Sequence, residues 1–218
     1  MDESNVKKLL EQQESSELEF KESIHSEQEF SKIICAFANT DGGVILVGVD
    51  RNGKPVGVLQ DLDELQQKLS ACSQNVSPPP LTSIEVCLAK GFKIILVKIH
   101  KTDFSSFHTF GGVIYVRIGS TTRKLEGQTM VEFLKNRQIL CFDQLTSRAI
   151  LSDLDEKRIQ RYLTTRGYSD YLQTHSIKDF LASLNLSAEN GVLKIKNAAL
   201  ISFSSNPQHW FPQTEIKV

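Results

Sequence analysis

The chain has little of what would tie it to a membrane, a metal framework or an oxidising compartment. Its apolar runs are short, such as Val44 to Val49 and Ile94 to Val97. None approaches the roughly 20 residues that a membrane-spanning helix needs. The opening Met-Asp-Glu-Ser-Asn carries neither a positive leader nor an apolar segment, so no secretion signal is expected. The four cysteines are Cys35, Cys72, Cys87 and Cys141, with no CxxC among them. Each sits among apolar neighbours, and they read as buried free thiols of a reducing, cytoplasmic setting. The five histidines are scattered. No Cys/His group has zinc-finger spacing, so no zinc is expected. GxSxG does not occur, and no motif supplies a Ser or Cys with a histidine partner. An excess of one charge is missing too, with 25 basic and 26 acidic residues and a net charge of −1. That argues against unspecific polyanion binding by the whole surface. A nucleic-acid site must come from a local basic patch.

What is present is an ordinary globular composition: 218 residues, 40% hydrophobic and 23% charged. This length suits one well-cored domain with a smaller appendage. Asn5 to Gln13 is a short polar helix candidate. Leu18 to Lys21 alternates as a strand, with Glu19 and Lys21 on one side. Phe30, Ile33, Ile34 and Phe37 recur at helical spacing and predict an amphipathic helix over Glu27 to Ala38. Asn39-Thr40-Asp41-Gly42-Gly43 ends it, and the β-rich run Val44 to Val49 predicts a buried strand. Asn52-Gly53 is a hairpin signal. Leu62, Leu65 and Leu69 mark another helix, and Ser77-Pro78-Pro79-Pro80 an extended connector. Ile84 to Leu88 and Phe92 to Ile99 flank Lys90-Gly91 as a further hairpin. Val113 to Ile118 reads as a strand, and Met130, Phe133 and Leu134 as a helix ending near Arg137. Thr40 to Ile45 is echoed by Thr109 to Ile114, each with a double glycine; two similar turns and a duplication both fit. Beyond Phe142 come helices over Leu154 to Leu163 and Ile177 to Leu184, then a turn at Asn190-Gly191 into Val192 to Ile195. That order suits a winged-helix element or a plain helical extension. Glu215 to Val218 looks strand-like, as if a further C-terminal region followed.

Three groups of residues bear on chemistry. Gly48 to Lys54 fits GxxxxGK, but Pro55 stands where a phosphate-binding loop needs Ser or Thr, and Asn52-Gly53 accounts for the segment as a turn. The acidic cluster Glu14, Glu17, Glu19 and Glu22 is either a solvated face or part of a metal site. In the second case Asp50, after the next strand, joins Glu14 and Glu19 to offer three hard oxygen ligands, and the metal activates water against a phosphodiester. The basic residues Lys21, Lys98, Lys101, Arg117, Arg123 and Lys124 are candidate phosphate contacts, the last two beside the hydroxyls of Ser120, Thr121 and Thr122.

Four ordered blocks also carry a resemblance: Glu17-Leu18-Glu19-Phe20-Lys21-Glu22, Ala36 to Gly43, Val47-Gly48-Val49-Asp50 with Gly53 and Val56-Gly57, and Val116 to Arg123. Together they resemble the Schlafen Alba-type domain over about Glu14 to Leu134. Ala198 to Ile201, Asn206-Pro207 and Phe211-Pro212-Gln213 resemble the segment that follows this domain in predicted prokaryotic transcriptional regulators. The resemblance implies an α+β fold and one of two activities: nucleic-acid binding in prokaryotic regulators, or metal-dependent endoribonuclease activity on transfer or ribosomal RNA, as in several animal Schlafens. The nuclease site uses two glutamates five positions apart and an aspartate. Glu14 and Glu19 match the glutamates, and the third position falls on Arg51, directly after Asp50. The animal family's zinc ligands have no counterpart.

The expected fold is therefore α+β, with a mixed, mostly antiparallel sheet and flanking helices over residues 1–140. A small helical or winged-helix-like segment is expected over 141–218, short of a further C-terminal region. The expected function is that of a nucleic-acid-binding domain of a Schlafen-like prokaryotic regulator, acting on DNA or structured RNA through local basic residues and needing no cofactor. The alternatives are a Mn- or Mg-dependent endoribonuclease for structured RNA such as tRNA, with Glu14, Glu19 and Asp50 as catalytic and metal-binding residues, and a protein-interaction module. No membrane partner is expected, and a homodimer is compatible with this reading.

Overall fold

A computed structural model describes residues 3–189 and 191–212. The chain divides into two units, Met1–Ile139 and Leu140–Val218. In the first, the periodicities of the sequence become α1 (Glu3–Leu10), β1 (Leu18–Lys21), α2 (Glu27–Ala38), β2 (Gly43–Val47) and α3 (Leu62–Gln74). After β3 (Val76–Ser77) come β4 (Thr82–Ala89), β5 (Phe92–Ile99), β6 (Thr109–Phe110), β7 (Tyr115–Ile118), β8 (Thr121–Lys124) and α4 (Gly127–Asn136). Helix α2 starts where Ser26 accepts from the Glu29 N–H, with Glu27 and Glu29 near the positive end of the helix dipole. Asp61 caps α3 in the same way through Asp63 and Glu64.

The sheet order is β1-β2-β5-β4. Strand β1 runs parallel to β2, which the intervening α2 makes possible, and the other pairs are antiparallel. Alternation along β2 divides its apolar side chains between two faces. Ile45 and Val47 pack with Ile34, Phe37, Leu69 and Ile95 on the face that α2 and α3 cover. Leu46 packs with Leu18, Phe20, Ile94 and Val6 of α1 on the other. Each such fully buried side chain contributes about 1.5–3 kcal/mol. The β4–β5 hairpin turns at Lys90 and Gly91, both at positive φ as its sequence suggests.

The strand expected over Val44 to Val49 ends at Val47, and the return arm after Asn52-Gly53 is no strand. It makes a single bridge, Val49 to Pro55. The run Val113 to Ile118 enters its strand only at Tyr115, because Gly111 and Gly112 form a two-residue turn between Phe110 and Val113. The two double glycines thus do different work. A Cβ on Gly111 or Gly112 would meet nothing, whereas one on Gly42 would lie 2.7 Å from the Ile99 carbonyl oxygen and 2.8 Å from the Lys101 nitrogen.

Between α2 and β2, Asn39 caps the helix, and its side chain ties in two distant segments. Nδ2 donates to the carbonyls of His108 and Tyr115, and Oδ1 accepts from the His108 N–H. Thr40 Oγ1 donates to the Ala36 carbonyl and accepts from the Arg117 N–H. Arg137 closes the far side, donating to the carbonyls of Asn39, Thr102, Asp103 and Ser106. His108 is buried, with Nδ1 against the Pro78 carbonyl and Nε2 against Thr102.

In the second unit, Asp155 caps α5 (Glu156–Thr165). Then come α6 (Tyr171–Thr174), α7 (Ile177–Ser183), the hairpin β9 (Ser187–Glu189) and β10 (Leu193–Ile195), α8 (Asn197–Phe203) and α9 (Pro207–Trp210). A further bridge joins Thr146 to Lys196. Ile159, Leu163, Phe180, Leu181 and Phe203 form its core, with Tyr162 edge-on to Phe180 and Phe203. The order expected here was two helices and a hairpin; the structure adds the short α6 between the two helices and α8 and α9 after the hairpin. Asn190 and the stretch Glu215 to Val218 lie outside the described residues.

Gly42→Ala should lower stability by about 2–4 kcal/mol in urea unfolding, since Gly42 sits at φ 74° with rigid backbone on two sides. His108 should make stability pH-dependent. Burial holds its pKa below the usual 6.5, so the unfolded chain takes up the proton first. The stability present above pH 6.5 is therefore lost as the pH falls below that value. Melting temperatures measured on the acid side of 6.5 should drop, and His108→Gln should flatten that slope.

Candidate functional site

The site is built on edge strand β1. Alternation turns Leu18 and Phe20 into the core facing α1 and turns Glu19 and Lys21 to the other side. Glu19 is only 6% exposed. Its Oε1 lies 2.6 Å from Lys21 Nζ, and its Oε2 accepts from Arg117 Nη2 at 2.8 Å. Arg117 reaches it from β7, 98 residues away. The same Nη2 donates to the Ser15 carbonyl, and Nη1 donates to Thr122 Oγ1 on the paired strand β8. The guanidinium carbon lies 4.7 Å from the centre of the Phe37 ring, a favourable stacking of cation on ring face.

A cleft of about 550 Å³ opens beside Glu19, lined by Glu14, Glu19, Lys21, Glu22, His25 and Arg51 among others. Glu14 Oε1 accepts from the Phe20 N–H at 3.0 Å. Asp50 is not in the lining. Its Oδ1 accepts from the backbone N–H groups of Asn52 and Lys54 at 2.8 and 2.9 Å, which folds the Asn52-Gly53 turn in the manner of an Asx turn. The convergence of Glu14, Glu19 and Asp50 expected from the sequence does not occur. Among the described residues no cluster of three metal-ligating side chains exists. The residue beside Asp50 that does line the cleft is Arg51.

The basic candidates divide by environment. Arg117 is buried and internally bonded, so it is no surface contact as its strand position first suggests. Lys21 is held by Glu19. Lys98 and Lys101 line a second cleft of about 550 Å³ with His100, Gln12 and Asp41, and Lys101 pairs with Asp41 at 2.6 Å. Lys124 pairs with Glu126. Lys98 and Arg123 are exposed and have no carboxylate partner among the described residues. The GxxxxGK segment is the turn just described and begins no helix. The sequence pointed to a capping, structural role for Asn39 and its neighbours, which the geometry at the end of α2 bears out, but gave no signal for the bonds of the Asn39 side chain to His108 and Tyr115 or for the load on Arg137.

Cys35, Cys72 and Cys87 are buried and Cys141 is half-buried. Desolvation pushes the Cys35 thiol up to about 11, so it is a packing residue at neutral pH.

These features define a class: an α+β domain with an open sheet whose edge strand carries a charged cleft. The sequence model described as Schlafen, AlbA_2 matches residues 14–126, and the chain belongs to that family. Its membership points to a nucleic-acid-related role. Two solved structures are similar to it. The DIP2311 protein from Corynebacterium diphtheriae is 15% identical with a TM-score of 0.48, over 93% of this chain and 44% of that one. The N-terminal domain of an ATP-dependent DNA helicase RecG-related protein from Nitrosomonas europaea is 23% identical with a TM-score of 0.39, over 58% and 94%. The chain thus spans less than half the length of the Corynebacterium protein. No curated protein matches it. No helix among the described residues is long and apolar enough to cross a membrane.

Arg117→Ala should cost about 3–5 kcal/mol in urea unfolding, because it breaks the buried half of the cluster and leaves Glu19 with Lys21 as its one cation. Combining Glu19→Gln with Arg117→Met should cost clearly less than the single change, since no uncompensated charge remains inside.

Proposed function

We propose that this chain is a nucleic-acid-binding domain of a Schlafen-like regulator, one that holds phosphates and does not cut them. The observation that carries this reading is the state of Glu19: each carboxylate oxygen already has a cation of the chain itself, Lys21 on one and Arg117 on the other. A divalent metal needs several free oxygen ligands. Glu19 is neutralised, Asp50 is spent on a turn, and Arg51, which cannot ligate a metal, stands where the resemblance asks for a third carboxylate. The residues present do not fit a catalytic metal. Family membership supports the binding half of the proposal, and the exposed Arg123 and Lys98 supply unpaired cations for phosphate.

One observation favours the second reading, a metal-dependent endoribonuclease: Glu14 and Glu19 line the same cleft. Cleavage would require Lys21 to leave Glu19. Incubation with transfer RNA and manganese, with and without chelator, separates the two. The expected result is no chelator-sensitive cleavage, with Arg51→Asp raising it. Efficient cleavage by the unchanged chain, lost in Glu19→Ala, would make the nuclease the right answer.

Binding itself is read by gel shift against duplex DNA and transfer RNA over a salt series. Replacing Arg123 and Lys124 by Ala should weaken binding to all sequences alike. It should also flatten the salt dependence by up to about two units of slope, roughly one per lost contact. If no nucleic acid binds at all, the chain is an interaction module of another kind.

A further inference from the structure

The second unit carries a charged and aromatic surface of its own. Along α5, Lys157, Arg161, Thr164 and Thr165 are exposed, and their spacing of i, i+4, i+7 and i+8 puts them on one face. No carboxylate pairs with Lys157, Arg161 or Arg166 among the described residues. Most nearby acids are committed elsewhere. Asp155 caps α5 and pairs with Arg158, Asp170 accepts from Gln173, and Asp179 closes the capping box of α7. Glu156, in the first turn of α5, is the acid that remains.

At the end of α5 the backbone closes sharply. Gly167 takes φ 82°, and the N–H groups of Gly167 and Tyr168 donate to the carbonyls of Thr164 and Leu163. This C-cap holds Tyr168 at a cavity of about 380 Å³ that Arg166, Tyr162, Tyr171 and Phe180 also line. Tyr162 and Phe180 are locked edge-on to each other in the core, and the Arg166 guanidinium lies 5.6 Å from the centre of the Tyr162 ring. Tyr168, by contrast, is 63% exposed. The cavity has the volume of a small-molecule site, which runs from about 300 to 1,000 Å³.

We infer that this surface binds single-stranded nucleic acid, with an unpaired base entering the cavity beside Tyr168 and the flanking phosphates meeting Arg161, Arg166 and Lys157. The exposed Tyr168 ring next to a line of cations and hydroxyls matches a strand whose bases are free to stack and whose backbone is anionic. A paired base inside a duplex offers no free face. An apolar peptide would leave the guanidinium of Arg166 unmatched at the mouth. The hairpin that follows α7 adds little charge, because Lys178 is bound to Glu189. This assignment lies within the second unit and does not rest on the reading of the first.

The test uses the full chain and a short fluorescein-labelled oligouridylate, read by fluorescence anisotropy. Tyr168→Ala should weaken binding about tenfold, the loss of one stacked base, while Tyr168→Phe keeps the affinity. Replacing Arg161 and Arg166 by Ala should weaken it further and lower the salt slope by about 0.7 per lost contact. Affinity for duplex DNA should be the same in Tyr168→Ala as in the unchanged chain, and matched melting temperatures show that the variant is folded. An oligouridylate affinity that Tyr168→Ala leaves unchanged overturns the inference, as does a chain that binds duplex but not single strands. The latter result would leave the assignment of the first unit standing.

Discussion

An arginine whose side chain is 1% exposed must have its charge met inside the protein, and Arg117 meets Glu19. Arg117 would not be tolerated there without Glu19, because an unpaired buried charge is among the costliest defects a fold can hold. The pair therefore sets several things at once. It fastens β7 and β8 over the edge of the sheet, it holds the Ser15 carbonyl beside β1, and it needs the flat face of Phe37 beneath the guanidinium. It also leaves Arg117 Nε without a hydrogen-bond partner among the described residues, and the contact with the Phe37 ring offsets part of that cost.

A second set of polar groups does the same work at the same, C-terminal end of α2. Asn39 and Arg137 together satisfy six carbonyls, those of Thr102, Asp103, Ser106 and His108 in the loop after β5, of Tyr115 at the start of β7 and of Asn39 itself. Buried backbone carbonyls have to be paired, and loops drawn in over a helix end have no ladder to pair with. Side chains with several donors in a fixed geometry supply what the ladder does not. The candidate cleft thus rests on a scaffold held by two arginines that look, in the sequence, like surface cations.

Much of the architecture was legible in the linear pattern. The spacing of Phe30, Ile33, Ile34 and Phe37 places α2 at Glu27–Ala38 as observed, and Lys90-Gly91 joins β4 to β5. Short-range chemistry decided these, and short-range chemistry is visible in sequence. The extra strands β3, β6 and β8 were not visible, because two residues are too few to show alternation and Thr121–Lys124 has no apolar residue to alternate. The candidate site was legible in its residue types and less so in their use. Glu14 and Glu19 do line one cleft, yet Asp50 turned out to fold its own turn. The signal was present, since Asp two places before Asn-Gly is a turn former in its own right.

The amino-acid sequence by itself determined the α+β class, the apolar faces of the helices and sheet, the tight turns at glycine and the presence of acidic and basic residues near β1. Tertiary structure alone decided which of those charges cancel. Alternation says that neighbours on a strand face opposite ways, but not which face a distant segment will cover. Arg117 is inward and Arg123 outward because β7 and β8 lie across Phe37 and Glu19. That meeting joins residues 98 positions apart, and the force behind it, the need to neutralise a carboxylate removed from water, acts only once the chain has folded around it.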